Sequence, residues 1–506
     1  MTDAPATPDF CEKAARKRIL AAAILVSALG FIDGSVVSIA TPTMRSELGA
    51  TLVQAQWFSN TYLLPLSALI LVGGAAGDRF GAAWVIQMGL AIFMAASILS
   101  ALAPTAELLI AGRALKGIGA ALMVPGSLAL IARAYPPDQR GAAIGTWAAA
   151  SAITTALGPI LGGLLLSTGG SGMWRAIFAV NLPLGLVAIA ILRSSVEEDR
   201  AVTQNALDWQ GAVLATLALG LGAWALTDPT TAIAPILGIA AIVIGVAFVW
   251  RERSAAHPMM PLAMFRSRIF SAANVGTFCL YFALSALLFF LPMTVISTWG
   301  VSEAAAALTF APLSVFIGLL SARIGRWADT VGPGLPIAIG ASLVALALAG
   351  MALTLPLRAF WAAVVPLASL MGLGMAFVVS PLSTAVMAAV PNTQSGAASG
   401  VNNAVSRVAG LIAIAAMGPL AAAMYSAAGG SESFAATSDE AAHVAATTAG
   451  FGAILWVATG MSALAAVVAW IGIRPDDTAP GDTHATSHAP KREAPQRAPE
   501  TRATSR

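Results

Sequence analysis

The chain has 506 residues, 58% of them hydrophobic and only 10% charged, with a formal net charge of +3 and a mean hydropathy of +0.81. Soluble domains carry about 25% charged residues, so a soluble globular protein is excluded, and the basic residues are spread over short loops rather than gathered into a patch for nucleic acid. Cys11 and Cys279, with His257, His443, His484 and His488 in predicted loops or tails, make neither a disulfide framework nor a zinc motif, and no GxxxxGK[ST] loop is present to support ATP-driven work.

In chain order, a polar tail (1–18) ends in Arg16, Lys17 and Arg18. The apolar run 19–41 follows; it is too long for a signal peptide, lacks a small-x-small cleavage site and reads as a retained first helix. Further runs occupy 54–76, 83–103, 108–132, 142–166, 176–193, 210–227, 232–250, 270–297, 303–325, 335–355, 359–389, 396–425 and 449–473. Runs near 20 residues match the bilayer core. Their continuous apolarity suits helices rather than barrel strands. The expected fold is therefore all-α and integral to the membrane, with about 14 transmembrane helices.

Lys and Arg favour the cytoplasmic side of short loops. With a cytoplasmic N-terminus, the inner loops hold Arg79, Arg133, Arg140, Arg193, Arg200, Arg251, Arg253, Arg266, Arg268, Arg323 and Arg326, against Arg45, Arg175 and Arg358 outside. Both termini are thus expected in the cytoplasm of a bacterial cell. The loop 426–448, with Glu432, Asp439 and Glu440, is expected outside. GDRFG (Gly77–Gly81) recurs as ADTVG (Ala328–Gly332), with eight crossings between them. Parallel six-helix repeats are one way to build a transporter. That divides the chain into a bundle at 19–193, a linker at 194–209, two additional helices within 210–250, a linker at 251–269, a bundle at 270–473 and a disordered tail at 474–506.

One acid interrupts the first run: Asp33, in FIDGSVVSIA. An acid at a helix centre costs about 2.5–3.5 kcal/mol, and such residues face a bundle interior or an aqueous cavity. Burial disfavours a carboxylate and a neighbouring cation favours it. A side chain balanced between the two can load and release a proton as a cavity opens to each side. Asp33 lies roughly 13 Å from the outer end of its run, and on the fourth run Arg113 and Lys116 lie roughly 7 and 12 Å deep. Three apart, they share a helix face. A cluster of Asp33, Arg113 and Lys116 is geometrically possible, either coupling protons or fixing helix packing as an ion pair. Lys116 has three readings: pairing with Asp33, which ranks first, an uncharged amine, or an attractor for anions. Arg407 is placed near the inner end of its helix.

Several motifs carry a family likeness. Gly74-Ala-Ala-Gly-Asp78-Arg79-Phe-Gly81, Arg113-Ala-Leu-Lys116-Gly117-Ile-Gly119, and Gly158-Pro159-Ile-Leu-Gly162-Gly163 stand in order, with Trp174-Arg175…Asn181…Gly185 and Asp208-Trp209-Gln-Gly211 beyond them. FIDGSVVSIATP (31–42) and Gln56-Trp57 with Tyr62 precede them all. Together, over nearly the whole chain, they resemble the major facilitator superfamily, specifically its fourteen-helix drug:proton antiporters. Ala82 and Ala83 depart from the usual basic pair, and Lys116 from a neutral residue.

The resemblance implies two six-helix bundles rocking about a midplane cavity, two inserted helices, and proton-driven export of hydrophobic or cationic drugs. It implies a gate latch at Asp78 and Arg79, with Asp329 its weaker counterpart, and a leak-tight fifth helix at Gly158, Pro159 and Gly162; the residues alone equally fit a turn anchored at the membrane surface and ordinary close helix packing. Trp57, Asn60, Asn274, Phe278, Tyr281 and Phe282 are candidate substrate contacts, and an aromatic cavity suits lipophilic cations. No cofactor is expected beyond the proton gradient. Expected partners are a small-molecule drug or metabolite, protons and the lipid bilayer. The chain is expected to act as a monomer, with an outer-membrane efflux system as a conceivable accessory. The rival reading within transport is export of an anionic or self-made metabolite. A membrane enzyme or sensor lacks any supporting constellation.

Overall fold

A computed structural model describes residues 13–196, 206–391 and 394–474. Of the expected tails and linker, 1–12, 475–506 and 197–205 lie outside the described residues, whereas 13–18, expected as polar tail, already form the first turns of a helix that begins at Lys13. Every regular element among the described residues is helical. The long helices are α1 (Lys13–Glu47), α2 (Leu52–Phe80), α3 (Ala82–Ala101), α4 (Ala106–Ala134) and α5 (Pro137–Gly169). They continue as α6 (Trp174–Ser195), α7 (Trp209–Thr227), α8 (Ala234–Ser254), α9 (Arg268–Trp299), α10 (Glu303–Val331), α11 (Gly334–Leu357), α12 (Phe360–Ala388), α13 (Ser395–Ala427) and α14 (Ala441–Gly472). Among the described residues, 13 of these are long and apolar enough to cross a membrane, and α5 carries a further apolar stretch at Leu157–Thr168. Alternating crossings bring Lys13 and Gly472 to one side, called here the tail side; the opposite face is the far side.

Local chemistry sets several helix starts. Thr51 and Gln54 form a reciprocal capping box at α2, and Thr105, Ser267 and Ser302 cap α4, α9 and α10. The internal repeat is visible in the backbone. Gly81 ends α2 at φ 100° and Gly332 ends α10 at φ 83°, conformations that favour glycine. Packing repeats as well. In the first half α4 sits on α2 and α3, and α1 on α5 and α6; in the second, α12 sits on α10 and α11, and α9 on α13 and α14. The inserted pair α7–α8 packs on itself, with α7 lying against α2 and α13 at the seam between halves.

The two halves close on the far side. Between Val36 and Arg45 all of α1 but Thr43 is buried, as is nearly all of α9 from Ala286 to Thr298. Arg45 reaches from α1 into the second half, donating to the carbonyls of Phe434 (2.8 Å) and Ala435 (3.0 Å) and to Ser433 Oγ (2.7 Å). Phe434 itself is held within the second half, its ring against Phe290 and Tyr425, so that its carbonyl faces Arg45. Toward the tail side the halves part. Mid-helix Gly34 of α1 and Asn403 of α13, from opposite halves, are exposed. A central cavity therefore opens to the tail side.

Arg45→Ala removes the three hydrogen bonds that its charged side chain donates to the second half, each contributing about 1.5–3 kcal/mol. The expected result is a far side that opens more often. In a cysteine-free background, Ser297→Cys, buried at that interface, then labels at least about tenfold faster with an impermeant maleimide. Unchanged labelling removes Arg45 from the closure.

Candidate functional site

The centre of the first half is built where α1, α2 and α4 meet. Glycines let α4 approach its neighbours: Gly117 lies against the Tyr62 carbonyl, and a Cβ on Gly119 would stand 2.7 Å from the Gly89 oxygen. This aims Arg113 and Lys116 at α1. Arg113 donates Nη1 to Asp33 Oδ2 and Lys116 donates Nζ to Asp33 Oδ1. All three residues are at most 1% exposed. Arg113 also donates Nε to the Phe58 carbonyl at 2.8 Å and lies 4.5 Å from the Tyr62 ring centroid. Tyr62 in turn donates its hydroxyl to the Gly30 carbonyl. Lys116 sits between the rings of Phe93 (4.5 Å) and Phe178 (4.8 Å).

The structure thus brings Asp33, Arg113 and Lys116 together and holds each carboxylate oxygen with its own cation. Their depths differ from the run-based estimate. Because α1 continues through Pro42 to Glu47, Asp33 lies about 21 Å from its far end. From Ala106, Arg113 and Lys116 lie about 10 and 15 Å deep, and their long side chains span the remainder.

On the tail side Asp78 accepts from Arg133 at 3.0 Å, a largely exposed pair within the first half, and Arg79 lies over the Phe80 ring. Asp329 is exposed and has no ion pair among the described residues. Gly74 makes ordinary contact with Pro125; its neighbour Gly73 is the residue pressed against the Ala121 carbonyl. Ala82 and Ala83 are buried in the core of the first half, where long cationic side chains would not fit. On α5, Gly158 packs on Ile32 and Ser35, Gly162 on Val36, and Gly163 crosses to Glu303 and Ala307 of the second half. Pro159 is buried in the same helix.

The expected substrate contacts separate. Trp57 turns away from the cavity, edge-on to Trp224 of α7. Asn402 donates its amide to Asn274 Oδ1 (3.3 Å) and to Thr277 Oγ1 (2.7 Å), tying α13 to α9. Phe278 and Phe282 stack on each other, Phe282 being buried. Asn60 is fully buried with neither amide atom bonded. Tyr281 is half-buried near the centre.

Two placements are corrected. Arg407 is not at the inner end of its helix: it lies about 18 Å along α13, with its guanidinium 5.9 Å from the Phe31 ring on α1. His443 is not in a loop but in the first turn of α14, buried, with Nδ1 2.7 Å from the Tyr425 hydroxyl.

The motifs further along also find their reasons. Trp174 donates to Glu47 at 2.8 Å and Arg175 pairs with the same carboxylate, pinning α6 to the end of α1. Asp208 caps α7 at Gly211 and pairs with Arg251.

The model for the Major Facilitator Superfamily matches residues 23–414. The chain belongs to that superfamily. It is 32% identical over 422 residues to the methylenomycin A resistance protein of Bacillus subtilis, covering 80% of this chain and 89% of that one. The tetracenomycin C resistance and export protein of Streptomyces glaucescens is 31% identical (77% and 73% covered), and the multidrug resistance protein Stp of Mycobacterium tuberculosis 30% (78% and 74%). Among solved structures, an inward-facing, unoccupied bacterial homologue of the human lysosomal transporter Spinster superposes with a TM-score of 0.66 at 18% identity, covering 91% of this chain and 97% of that one. A D-xylose-proton symporter gives 0.64 at 16%, covering 92% and 98%. The superfamily chain is accordingly a multi-pass membrane transporter and not an enzyme.

Proposed function

We propose that this transporter exports small organic compounds, antibiotics among them, across the bacterial cell membrane in exchange for protons, by alternating access. Its relatives are named for resistance and export of such compounds. The observation that carries the coupling is Asp33, a carboxyl sealed at the centre of the first half between two cations. An ionisable group so placed marks an ion path by default. The tail side is cytoplasmic in this reading, because it holds the excess of arginine over Arg45, Arg175 and Arg358 on the far side, and the structure is then the inward-open state. Both bundles and the central site come from one chain, so the monomer is the working unit, needing no cofactor.

Asp33 has both oxygens occupied and no exposed surface, so it offers nothing to a cationic drug in this state. The wall that a compound meets is aromatic, at Phe31 and Tyr281, and suits its apolar body. The test uses purified protein in proteoliposomes with an imposed pH gradient and a panel of neutral, cationic and anionic aromatic compounds. At least one accumulates uphill, releases protons as it moves and stops when nigericin collapses the gradient. Accumulation indifferent to nigericin overturns proton exchange.

A further inference from the structure

We propose that Arg407 is the docking cation for transported compounds that carry a single anionic group on an aromatic frame. The inference deepens the export reading and rests on it for the direction of movement, though not for binding. Arg407 projects from the middle of α13 to the junction of the two halves, over Phe31 of α1. It lies within electrostatic reach of the Tyr62 and Tyr281 hydroxyls, on α2 and α9. It therefore touches the seam that must open and close during transport.

No carboxylate answers it. Among the described residues Arg407 has neither an ion pair nor a hydrogen bond, and its Nε is buried without a partner. A guanidinium in a membrane interior is expensive to leave unpaired, and its five donors in a planar fork match a carboxylate or sulfonate bidentately. Asp33, the acid of α1, is already bound by Arg113 and Lys116. Counting these four groups gives three positive charges against one negative at the heart of the protein. An arriving anion lowers that imbalance, whereas a cation raises it.

Geometry adds a place for the rest of the ligand. Phe31 and Tyr281 are half-buried faces beside the guanidinium, ready to stack on a ring. The unbonded amide of Asn60 lies one turn from Gln56, whose own amide reaches the α13 carbonyl of Ile414. Residues four apart share a helix face, so Asn60 faces the same helix as Arg407 and supplies a second unused polar group near the seam.

The test compares radiolabelled 2-naphthoate with 2-naphthamide, which share a frame and differ in charge, with ethidium as a cation. Equilibrium binding to the full chain in detergent and uptake into proteoliposomes are both read, for wild type, Arg407→Gln and Arg407→Lys. Wild type is expected to bind naphthoate more tightly than naphthamide. Arg407→Gln weakens naphthoate roughly 10- to 100-fold, the worth of one charge-assisted contact, and leaves naphthamide unchanged. Arg407→Lys falls between. An equal loss for both probes makes Arg407 a structural residue and overturns the proposal, as does a wild type that prefers ethidium or naphthamide or binds none of the three. Charge-selective binding without gradient-driven movement keeps the docking role and sinks the export reading alone.

Discussion

Asp33→Asn is expected to abolish uphill export while leaving downhill movement of the same compound. The carboxylate is the group whose protonation can loosen the link between α1 and α4: once neutral, it no longer balances Arg113 and Lys116, and the two helices gain freedom to shift. An amide cannot make that change. Accumulation driven by a pH gradient should fall to the equilibrium level, at least a tenfold loss for any compound that wild type concentrates about tenfold. The single substitution also strips two buried cations of their counter-charge, and breaking a buried pair in this way costs about 3–5 kcal/mol. Poor folding would imitate lost coupling. Asp33→Asn with Lys116→Gln removes one charge of each sign and returns the cluster to its original net charge, so it is expected to fold well and still not concentrate substrate. Uphill transport by the double variant, measured in the same proteoliposomes, would sink the coupling role.

Much of this was legible in the sequence, because lipid imposes so simple a demand. Long apolar runs must become helices, and Asp33, Arg113 and Lys116 are conspicuous against them. Two basic residues three apart necessarily point one way, and depth then suggested the acid they could meet. What surrounds Lys116 was not legible, since Phe93 and Phe178 come from two other helices and no spacing within one run announces them. Helix ends were the weakest reading. The run at 19–41 stops at Pro42, yet α1 continues to Glu47, because a proline costs one backbone bond that a packed bundle tolerates. The run at 449–473 misses the first two turns of α14, where AAHVAATT is small and polar, and with them the buried His443. The run at 396–425 is longer than a bilayer needs, so its ends gave no fix on the depth of Arg407. An arginine with about a dozen residues before it in such a run was the available signal. Trp57 shows the other limit: an aromatic next to a polar residue does not say which neighbour it faces, and here α7 of the inserted pair covers it.

Gly158→Val is expected to uncouple the protein by a different route, through leak rather than loss of a proton site. A Cβ at Gly158 would stand 2.5 Å from Ser35 Oγ, and 3.1 and 3.2 Å from the Ile32 Cα and carbonyl oxygen. The serine can rotate, but the backbone of α1 cannot yield without moving the turn that carries Asp33. Alanine adds only this Cβ and is expected to be intermediate, and valine severe, since its branched methyls extend the clash; overpacking of this kind costs about 1–3 kcal/mol. The helix has a second duty five residues on, where Gly163 lies 2.6 Å by the same measure from the Glu303 carbonyl of the second half. Pushing α5 off α1 at Gly158 also lifts it from α10, and the far-side closure loses one of its contacts between halves. Proteoliposomes holding Gly158→Val should dissipate an imposed pH gradient several-fold faster than wild type in the absence of any substrate, with Gly158→Ala in between. If valine lowers only the amount of folded protein, and the gradient holds per molecule, then α5 packs there for stability and the seal rests on the other far-side contacts, Arg45 and the Thr43–Glu303 pair among them.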